Sequence, residues 1–391
     1  MTYDFNTVLP RHNTDCAKYD AAKSRGIPSD ALPMWVADMD FRAPEPVLEA
    51  LRARVDHGIF GYAFTGADYG EAVTGWFGRR FGWRPEAEWI VRTPGVVFAL
   101  AMAVRAFTQP GDAVVIQPPV YPPFFSVVTR NGRRLAENPL ILRDGRYEMD
   151  FEGLERVMEA QKPRLMILCS PHNPVGRVWT AQELRQVASI CARHGVIVAS
   201  DEIHCDFTWP EHPHTPFAAA APDMADRCLV CTAPSKTFNL AGLQASNIFI
   251  PDGGLRKRFE AEIAACGLDE LNNMALTACR AACLHGDAWL DALKDTLRGN
   301  LSVVRDCLRA ELPMLRLIEP EGTYLAWVDF AALGLSPAAL HDFIVHKARL
   351  WLDDGRIFGK EGNTFQRLVL ACPRATVVEA MERLKAAIKA P

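Results

Sequence analysis

A chain of 391 residues is longer than one hydrophobic core usually serves, so two structural lobes are predicted. The net charge of −4 excludes a general basic field for nucleic acid or an anionic membrane, leaving small molecules and other protein chains as expected partners. The N-terminus lacks a secretory pattern, and no apolar run approaches the roughly 20 residues that span a bilayer, so we expect a cytoplasmic protein.

The first 45 or so residues are rich in proline and aspartate, and they predict an irregular arm rather than a core element. After them, short apolar strands alternate with helices, which predicts a parallel or mixed sheet covered on both faces. The predicted strands are residues 113–117, 165–169, 196–200, 229–233 and 248–250. The predicted helices are residues 96–107, 181–194 (from a capping box at Thr180 and Glu183 to a stop at Gly195), 255–266 and 289–310.

The last 80 or so residues have a different pattern. Residues 324–330 and 365–371 alternate like half-exposed strands, and residues 336–346 and 376–389 are amphipathic helices, the second with a capping box at Thr376 and Glu379. This pattern predicts a smaller α+β lobe. We therefore predict an N-terminal arm (1–45) that packs with the small domain, a large domain (46–287) and a small C-terminal domain (288–391).

Two polar residues follow predicted strands, where a sheet of this kind binds its ligand. Lys236 comes directly after residues 229–233, and a lysine at the point where burial begins has a lowered pKa and a nucleophilic neutral amine. Asp201 follows residues 196–200 and can keep a ligand's ring nitrogen protonated. Taken singly, the ordinary interpretations are a surface lysine and a helix N-cap.

Two more loops carry groups that can bind a ligand. Asn173 lies in Ser-Pro-His-Asn-Pro-Val-Gly-Arg, where a side-chain amide can donate to a ligand oxygen, although a structural turn also explains the pattern. Gly95, Val96 and Val97 open a strong predicted helix, and backbone N–H groups at a helix start suit a phosphate group. A plain helix start is the alternative.

In combination these patterns resemble one family along nearly the whole chain. The chain is similar to the class I/II aminotransferase superfamily, the fold type I pyridoxal-phosphate enzymes, and within it to the cystathionine β-lyase and cysteine C–S lyase branch. The motifs that carry the resemblance are Pro33-Met-Trp-Val-Ala-Asp-Met-Asp-Phe41, Gly95-Val-Val, Tyr121, Ser170-Pro-His-Asn-Pro, Asp201-Glu-Ile-His, Ser235-Lys236, Arg367 and Cys372-Pro-Arg.

The resemblance implies a fold: a large α/β domain with a mostly parallel seven-stranded sheet sandwiched by helices, plus a smaller α+β C-terminal domain. It implies pyridoxal 5′-phosphate as the cofactor, with Lys236 as the Schiff-base lysine and the base that takes the Cα proton. Asp201 is implied as the partner of the pyridine nitrogen, and Tyr121 as the catalytic aromatic residue that stacks on the cofactor. Asn173 is implied as the donor to the cofactor's phenolic oxygen.

The remaining roles follow from the same resemblance. The substrate carboxylate is assigned to Arg367, with Trp35 and Asn173 as further substrate contacts. Tyr62 is implied to reach the phosphate of a neighbouring subunit, which predicts a homodimer with shared sites. The other implied cofactor contacts are Gly95, Val96, Val97, His204 and Ser235.

Five positions depart from the family pattern. Gln244 stands where many aminotransferases have a phosphate-binding arginine, and Val96 and Val97 offer no hydroxyl groups, so the phosphate is left to backbone N–H groups, Ser235 and Tyr62. His204 replaces a tyrosine, and Val369 stands where an asparagine often braces the arginine. These departures concern how firmly the cofactor phosphate and Arg367 are held.

No metal site and no disulfide framework are predicted. The eleven cysteines are scattered, several of them in apolar segments, which favours reduced, buried thiols. Cys228 and Cys231 form a C-x-x-C pair, but in a strand-like segment where packing is the simpler use. His212 and His214 lie among three prolines, which predicts a stiff surface loop rather than a metal site.

The resemblance leaves the reaction open between three classes. The favoured one is β-elimination of L-cystathionine or a related cysteine S-conjugate to a thiol, pyruvate and ammonia, because of the motif at residues 33–41. The second is an aminotransferase of unassigned amino-acid specificity. The third is a regulatory or binding protein that keeps the cofactor as a structural group, which the full set of catalytic residue types disfavours. No side chain identifies the leaving group.

Overall fold

A computed structural model describes residues 3–268 and 270–389. Its strands, in chain order, are β1 Leu32–Pro33, β2 Ile90–Thr93, β3 Ala113–Ile116, β4 Arg134–Glu137, β5 Ile141–Arg143, β6 Arg146–Glu148, β7 Leu165–Cys169, β8 Ile197–Asp201, β9 Cys228–Thr232, β10 Ser246–Phe249, β11 Arg316–Ile318, β12 Leu325–Asp329, β13 Leu350–Trp351, β14 Asp353–Asp354 and β15 Phe365–Val369.

The α-helices are α1 Ala17–Asp20, α2 Glu45–His57, α3 Ala67–Phe81, α4 Val96–Phe107, α5 Pro123–Thr129, α6 Phe151–Gln161, α7 Ala181–His194, α8 Phe217–Ala220, α9 Pro234–Thr237, α10 Gly253–Ala265, α11 Asn273–His285, α12 Asp287–Glu311, α13 Pro337–Asp342 and α14 Arg374–Lys389. A π-helical turn, Phe343–Lys347, extends α13, and short 3₁₀ turns connect other elements. None of the described helices has both the length and the apolar character that a membrane span requires.

The central sheet has seven strands within the described residues, in the order β2-β10-β9-β8-β7-β3-β4. The ladders from β9 to β4 are parallel, and β10 alone runs against its two neighbours. This confirms the predicted α/β class with a mostly parallel seven-stranded sheet.

Burial on both faces explains why these strands are continuously apolar. Along β7, Met166 and Leu168 join one core cluster, while Leu165, Ile167 and Cys169 join the other. The first cluster includes the apolar side of α7, and the second includes α4 and α10. Helices therefore cover the sheet on both sides, as the strand composition predicts.

A second sheet, antiparallel in the order β11-β12-β15-β14, is built from the C-terminal part of the chain. Strand β1 of the N-terminal segment pairs with β13 in parallel, Leu32 opposite Leu350. This is the predicted smaller α+β unit. The division of the chain at residues 45 and 287 stays a prediction.

Three predictions about local structure were wrong. The first 45 residues are not only an arm, because Phe5, Met34, Met39 and Phe41 are buried in the main core cluster. Thr376 cannot cap a helix, since α14 begins two residues earlier, after Pro373. His214 does not lie in a surface loop: it is buried, and its Nε2 lies 2.8 Å from Oε2 of the equally buried Glu202.

Candidate active site

The predicted site residues meet at a cavity of about 440 Å³ beside the carboxyl ends of the central strands. Its lining includes Trp35, Gly95, Val96, Val97, Tyr121, Asn173, Asp201, His204, Ser235, Lys236 and Arg367. Tyr62 does not line this cavity; its side chain is fully exposed in the segment 59–64. The structure thus collects side chains from β8, β15 and the turns after β7 and β9.

Lys236 lies in the single turn of α9 that follows β9. Its Nζ donates a hydrogen bond to the carbonyl oxygen of Ala37, 2.7 Å away. Burial, together with the positive charge of Arg367, lowers the pKa of Lys236 to about 8. Because a lower pKa leaves more of the amine neutral near physiological pH, Lys236 has the property that a nucleophilic or basic lysine requires.

Asp201 is the last residue of β8, so the N-cap interpretation is wrong. Its Oδ1 accepts a hydrogen bond from the Ile203 N–H (3.1 Å), whereas its Oδ2 has no partner among the described residues. Burial raises the pKa of Asp201 to about 7, the bond from Ile203 opposing this. A protonated ring nitrogen beside Oδ2 would supply the compensating positive charge.

The raised pKa gives a stability prediction for cofactor-free protein. Between about pH 4 and 7 the folded state keeps the Asp201 proton that the unfolded state loses, so wild-type stability falls as pH rises through this window. Asp201→Asn has no such loss. We expect the variant to gain stability relative to wild type as pH rises, by about 1.4 kcal/mol per unit of pKa difference. Urea unfolding at pH 5 and pH 7.5 measures this, and an equal difference at both would contradict it.

Arg367, on β15, has two guanidinium nitrogens engaged with neighbouring groups. Its Nη1 donates to Oδ1 of Asn173 (2.9 Å), and its Nη2 donates to the carbonyl oxygen of Trp35 (2.8 Å) and pairs with Asp353. Its Nε is buried without a protein partner among the described residues. Arg367 is therefore a buried, oriented cation at the cavity wall, as recognition of a carboxylate requires.

The other predicted ring contacts lie around these three residues. Asn173 uses its amide oxygen for Arg367, which leaves its amide nitrogen as a donor at the cavity wall. Tyr121 also lines the cavity, and burial raises its pKa. Burial and the charge of Lys236 hold the pKa of His204 well below its usual value, so this ring is neutral, with its Nδ1 unpartnered in the described structure.

The predicted phosphate end lies at the start of the twelve-residue helix α4. Gly95 has φ 146°, in the region that favours glycine, and apart from its chain neighbours no atom lies within 4 Å of the position that a Cβ would occupy. Open space therefore borders the first backbone N–H groups of the helix. Ser235 and Gln244 line the same cavity. Gln244, at the position where many aminotransferases have an arginine, therefore lines this cavity without a charge.

Sequence analysis missed two residues that contact predicted site residues. Asp353 pairs with Arg367, directly opposite it in the β14–β15 ladder. Tyr324 packs edge-on against the predicted His204, with ring centroids 5.6 Å apart, and its hydroxyl donates to the carbonyl oxygen of Ala37 (3.1 Å). The acidic pair at 353–354 was visible in the sequence, but its partner depends on the antiparallel register, which the sequence pattern does not give. Tyr324 carried no signal beyond strand alternation.

Comparison with known proteins defines the family. The family model described as aminotransferase class I and II matches residues 36–384. The chain belongs to the aminotransferase class I and II family. Cystathionine beta-lyase PatB of Bacillus subtilis (strain 168) is 47% identical to it over 385 residues, covering 98% of this chain and 100% of that protein.

Two solved structures share the fold of this chain over nearly its whole length. Cystalysin from Treponema denticola, which contains a pyridoxal 5′-phosphate cofactor, matches with a TM-score of 0.96 at 37% identity, covering 100% of this chain and 99% of that one. The pyridoxal-phosphate-bound C–S lyase from Staphylococcus hominis matches with a TM-score of 0.93 at 32% identity, again covering 100% and 99%. The predicted family and branch are confirmed.

Proposed function

We propose that the cavity binds pyridoxal 5′-phosphate and that the protein catalyses β-elimination of L-cystathionine or related cysteine S-conjugates to a thiol, pyruvate and ammonia. The observation that carries this proposal is the convergence of a buried amine of lowered pKa, a buried carboxylate and an oriented guanidinium on one cavity. The names of the similar proteins, cystathionine beta-lyase and C–S lyase, support the reaction class.

The cavity fits the cofactor chemically. Asp201 Oδ2 is a free acceptor for a ring N–H, and the amide nitrogen of Asn173 is a free donor for the phenolic oxygen. The open space at Gly95, before the N–H groups of α4, suits a phosphate monoester. When bound, the cofactor provides an aldehyde for Lys236 and an electron-withdrawing ring that acidifies the Cα–H of the substrate.

The protein's own residues then position the substrate and move the proton. Arg367 binds the substrate carboxylate with its planar fork, which fixes the orientation of Cα. Nζ of Lys236, once free, accepts the Cα proton, and a pKa of about 8 suits this work near neutral pH. The carboxylate of Asp201 would hold a proton at the ring nitrogen, because it is buried and pairs with no cation among the described residues.

The decisive assay incubates purified, cofactor-loaded protein with L-cystathionine, lactate dehydrogenase and NADH, and measures free thiol in parallel. Pyruvate and thiol in equal amounts are expected. If neither forms from cystathionine, cystine or S-methylcysteine, the lyase proposal is wrong. An aminotransferase, the alternative that the family name favours, would instead convert the cofactor to its amine form and need a keto acid to restore it.

We further propose a cytoplasmic homodimer in which each copy contributes to the other's site. The segment 59–64 exposes Ile59, Phe60, Tyr62 and Phe64, the last two almost completely. Exposed apolar side chains grouped in this way are typical of an interface. The segment is attached to helix α11, since the side chain of Asn273 donates to the carbonyl oxygen of Gly61 (2.6 Å).

Subunit mixing tests the shared sites. Tyr62→Ala and Lys236→Ala proteins are each expected to be weakly active or inactive, because each defect affects every site of its homodimer. Denaturing and refolding them together should restore about one quarter of wild-type activity, since half the dimers are hybrids with one intact site each. Refolding each variant alone is the control. No recovery in the mixture, with dimers present by gel filtration, would contradict the proposal.

A further inference from the structure

Residues 35–41, which we call the strap, form backbone hydrogen bonds with two charged side chains of the cavity. The carbonyl oxygen of Trp35 accepts from Nη2 of Arg367 (2.8 Å). The carbonyl oxygen of Ala37 accepts both from Nζ of Lys236 (2.7 Å) and from the hydroxyl of Tyr324 (3.1 Å). One short stretch of backbone therefore bonds to both the amine and the guanidinium of the site.

The strap is also bound to the segment that carries Lys236. Asn239, three residues after Lys236, accepts from the Met39 N–H (3.0 Å) and donates to the carbonyl oxygens of Met39 and Phe41 (2.9 Å each). The N–H of Asp40 donates to the carbonyl oxygen of Ala371, just beyond β15 (2.9 Å). A displacement of the strap therefore moves acceptors of both Lys236 and Arg367.

The two aspartates of the strap are held by two cations from earlier in the chain. Lys18, 1% exposed, lies 2.9 Å from Oδ2 of Asp40, which is 5% exposed. Arg11 bridges the pair, with Nη1 2.5 Å from Oδ1 of Asp40 and Nη2 2.6 Å from Oδ2 of Asp38. We call these four residues the arm cluster. Its two positive and two negative charges balance.

We propose that the arm cluster is a positioning device for the active site, in which Asp38 and Asp40 fix the strap so that its carbonyl groups orient Lys236 and Arg367. None of the four charged side chains lines the cavity. They act through the strap backbone, because Arg11 also donates to the carbonyl oxygen of Met39 (3.1 Å). The inference rests on the proposed function for its activity readout only.

The arm cluster can affect catalysis because the reaction rate depends strongly on the positions of the reacting groups. An error of about 1 Å in the position of a reacting group can cost on the order of 100-fold in rate. If the Lys18–Asp40 pair only stabilised the fold, replacing both residues by uncharged side chains of similar size should leave activity unchanged. Such paired replacements of a buried ion pair often leave stability unchanged. The two roles are therefore separable by a variant that removes both charges of the Lys18–Asp40 pair.

Asp38 also acts on Lys236 through its charge. The charged groups that influence Lys236 are Arg367 on β15, Asp201 on β8 and Asp38 on the strap; Arg367 lowers the pKa of the amine, and the two carboxylates raise it. Asp38→Asn should therefore lower the pKa of Lys236 further. A purely structural role of Asp38 predicts no such shift.

The first experiment compares wild type with Lys18→Met/Asp40→Asn and with Asp4→Asn. Asp4 is the matched control, since its carboxylate accepts from the nearby Asn6 and Thr7 N–H groups and does not line the cavity. For the double variant we expect a Tm close to that of wild type and a kcat/KM for L-cystathionine about tenfold lower. Asp4→Asn should change neither. A double variant with kcat/KM within twofold of wild type would overturn the proposal.

The second experiment does not depend on lyase activity. Cofactor-free wild type and Asp38→Asn are mixed with pyridoxal 5′-phosphate at a series of pH values, and the visible band reports capture by Lys236. The midpoint of the capture rate is expected at lower pH in Asp38→Asn than in wild type, because the charge of Asp38 raises the pKa of Lys236. An unchanged midpoint would overturn the proposal. A shifted midpoint without thiol release from any substrate would refute the lyase function alone.

Discussion

Lys236→Ala is expected to lower kcat for thiol release from L-cystathionine by at least about 10³-fold. On the proposed mechanism, the variant loses both the amine that captures the cofactor aldehyde and the base that takes the Cα proton. Its cavity should otherwise persist, because Asp201, Asn173 and Arg367 lie on other elements.

Steady-state kinetics give the effect on kcat. Borohydride reduction followed by peptide mass analysis should show pyridoxyl mass on the Lys236 peptide of wild type and on no peptide of the variant.

Lys257→Ala is the matched control for this prediction. Lys257 is exposed on α10 and does not line the cavity. We expect it to keep wild-type kcat and the wild-type pyridoxyl peptide. Wild-type protein that is active but carries its label on another lysine would show that Lys236 has been assigned the wrong role.

Arg367→Lys is expected to lower kcat/KM by about 100-fold, mainly through a higher KM. Hydrogen bonds to charged groups contribute about 1.5–3 kcal/mol each, and lysine cannot reproduce the two parallel bonds of a guanidinium to a carboxylate. Lysine keeps the positive charge that Asp353 needs, so the buried carboxylate is not left unpaired. The effect on KM should be the larger, because the substrate carboxylate is bound before and during the reaction alike.

Arg356→Lys is the control for this substitution. Arg356 forms an ion pair with Asp354, the residue that follows Asp353. Unlike Arg367, Arg356 is exposed and does not line the cavity. A change of less than twofold is expected, as for most exposed ion pairs. If the two variants lose kcat/KM equally, the substrate carboxylate is bound elsewhere.

The fold was predictable because its strands carry a strong local signal. A strand such as β7 is buried on both faces, so all of its residues are apolar, and its predicted bounds, 165–169, are those observed. Helix α7 was equally well defined, since Thr180 and Glu183 form the predicted capping box and Gly195 takes a left-handed conformation after it. The sequence motifs then identified most residues of the cavity wall.

What escaped prediction depends on long-range pairing. The Lys18–Asp40 pair joins residues of an irregular segment, and no periodicity relates them. Asp353 meets Arg367 only through the register of β14 and β15. Thr376 illustrates the reverse error. Its capping motif does not start the helix, because the helix begins at Arg374 and the carbonyl oxygen of Pro373 accepts from the Thr376 and Val377 N–H groups. Local patterns specify elements, whereas tertiary contacts specify their partners.

The cavity draws its amine and its guanidinium from two different sheets. Lys236 follows a strand of the central sheet, whereas Arg367 belongs to the C-terminal sheet, and the two sheets have no strand in common. On the proposed mechanism, an amino acid whose carboxylate is bound by Arg367 and whose Cα proton is taken by Lys236 therefore forms a non-covalent bridge between the two sheets. Turnover breaks that bridge, because pyruvate leaves with the carboxylate while the thiol departs separately. In each catalytic cycle the substrate is thus expected to make and then release a contact with both sheets.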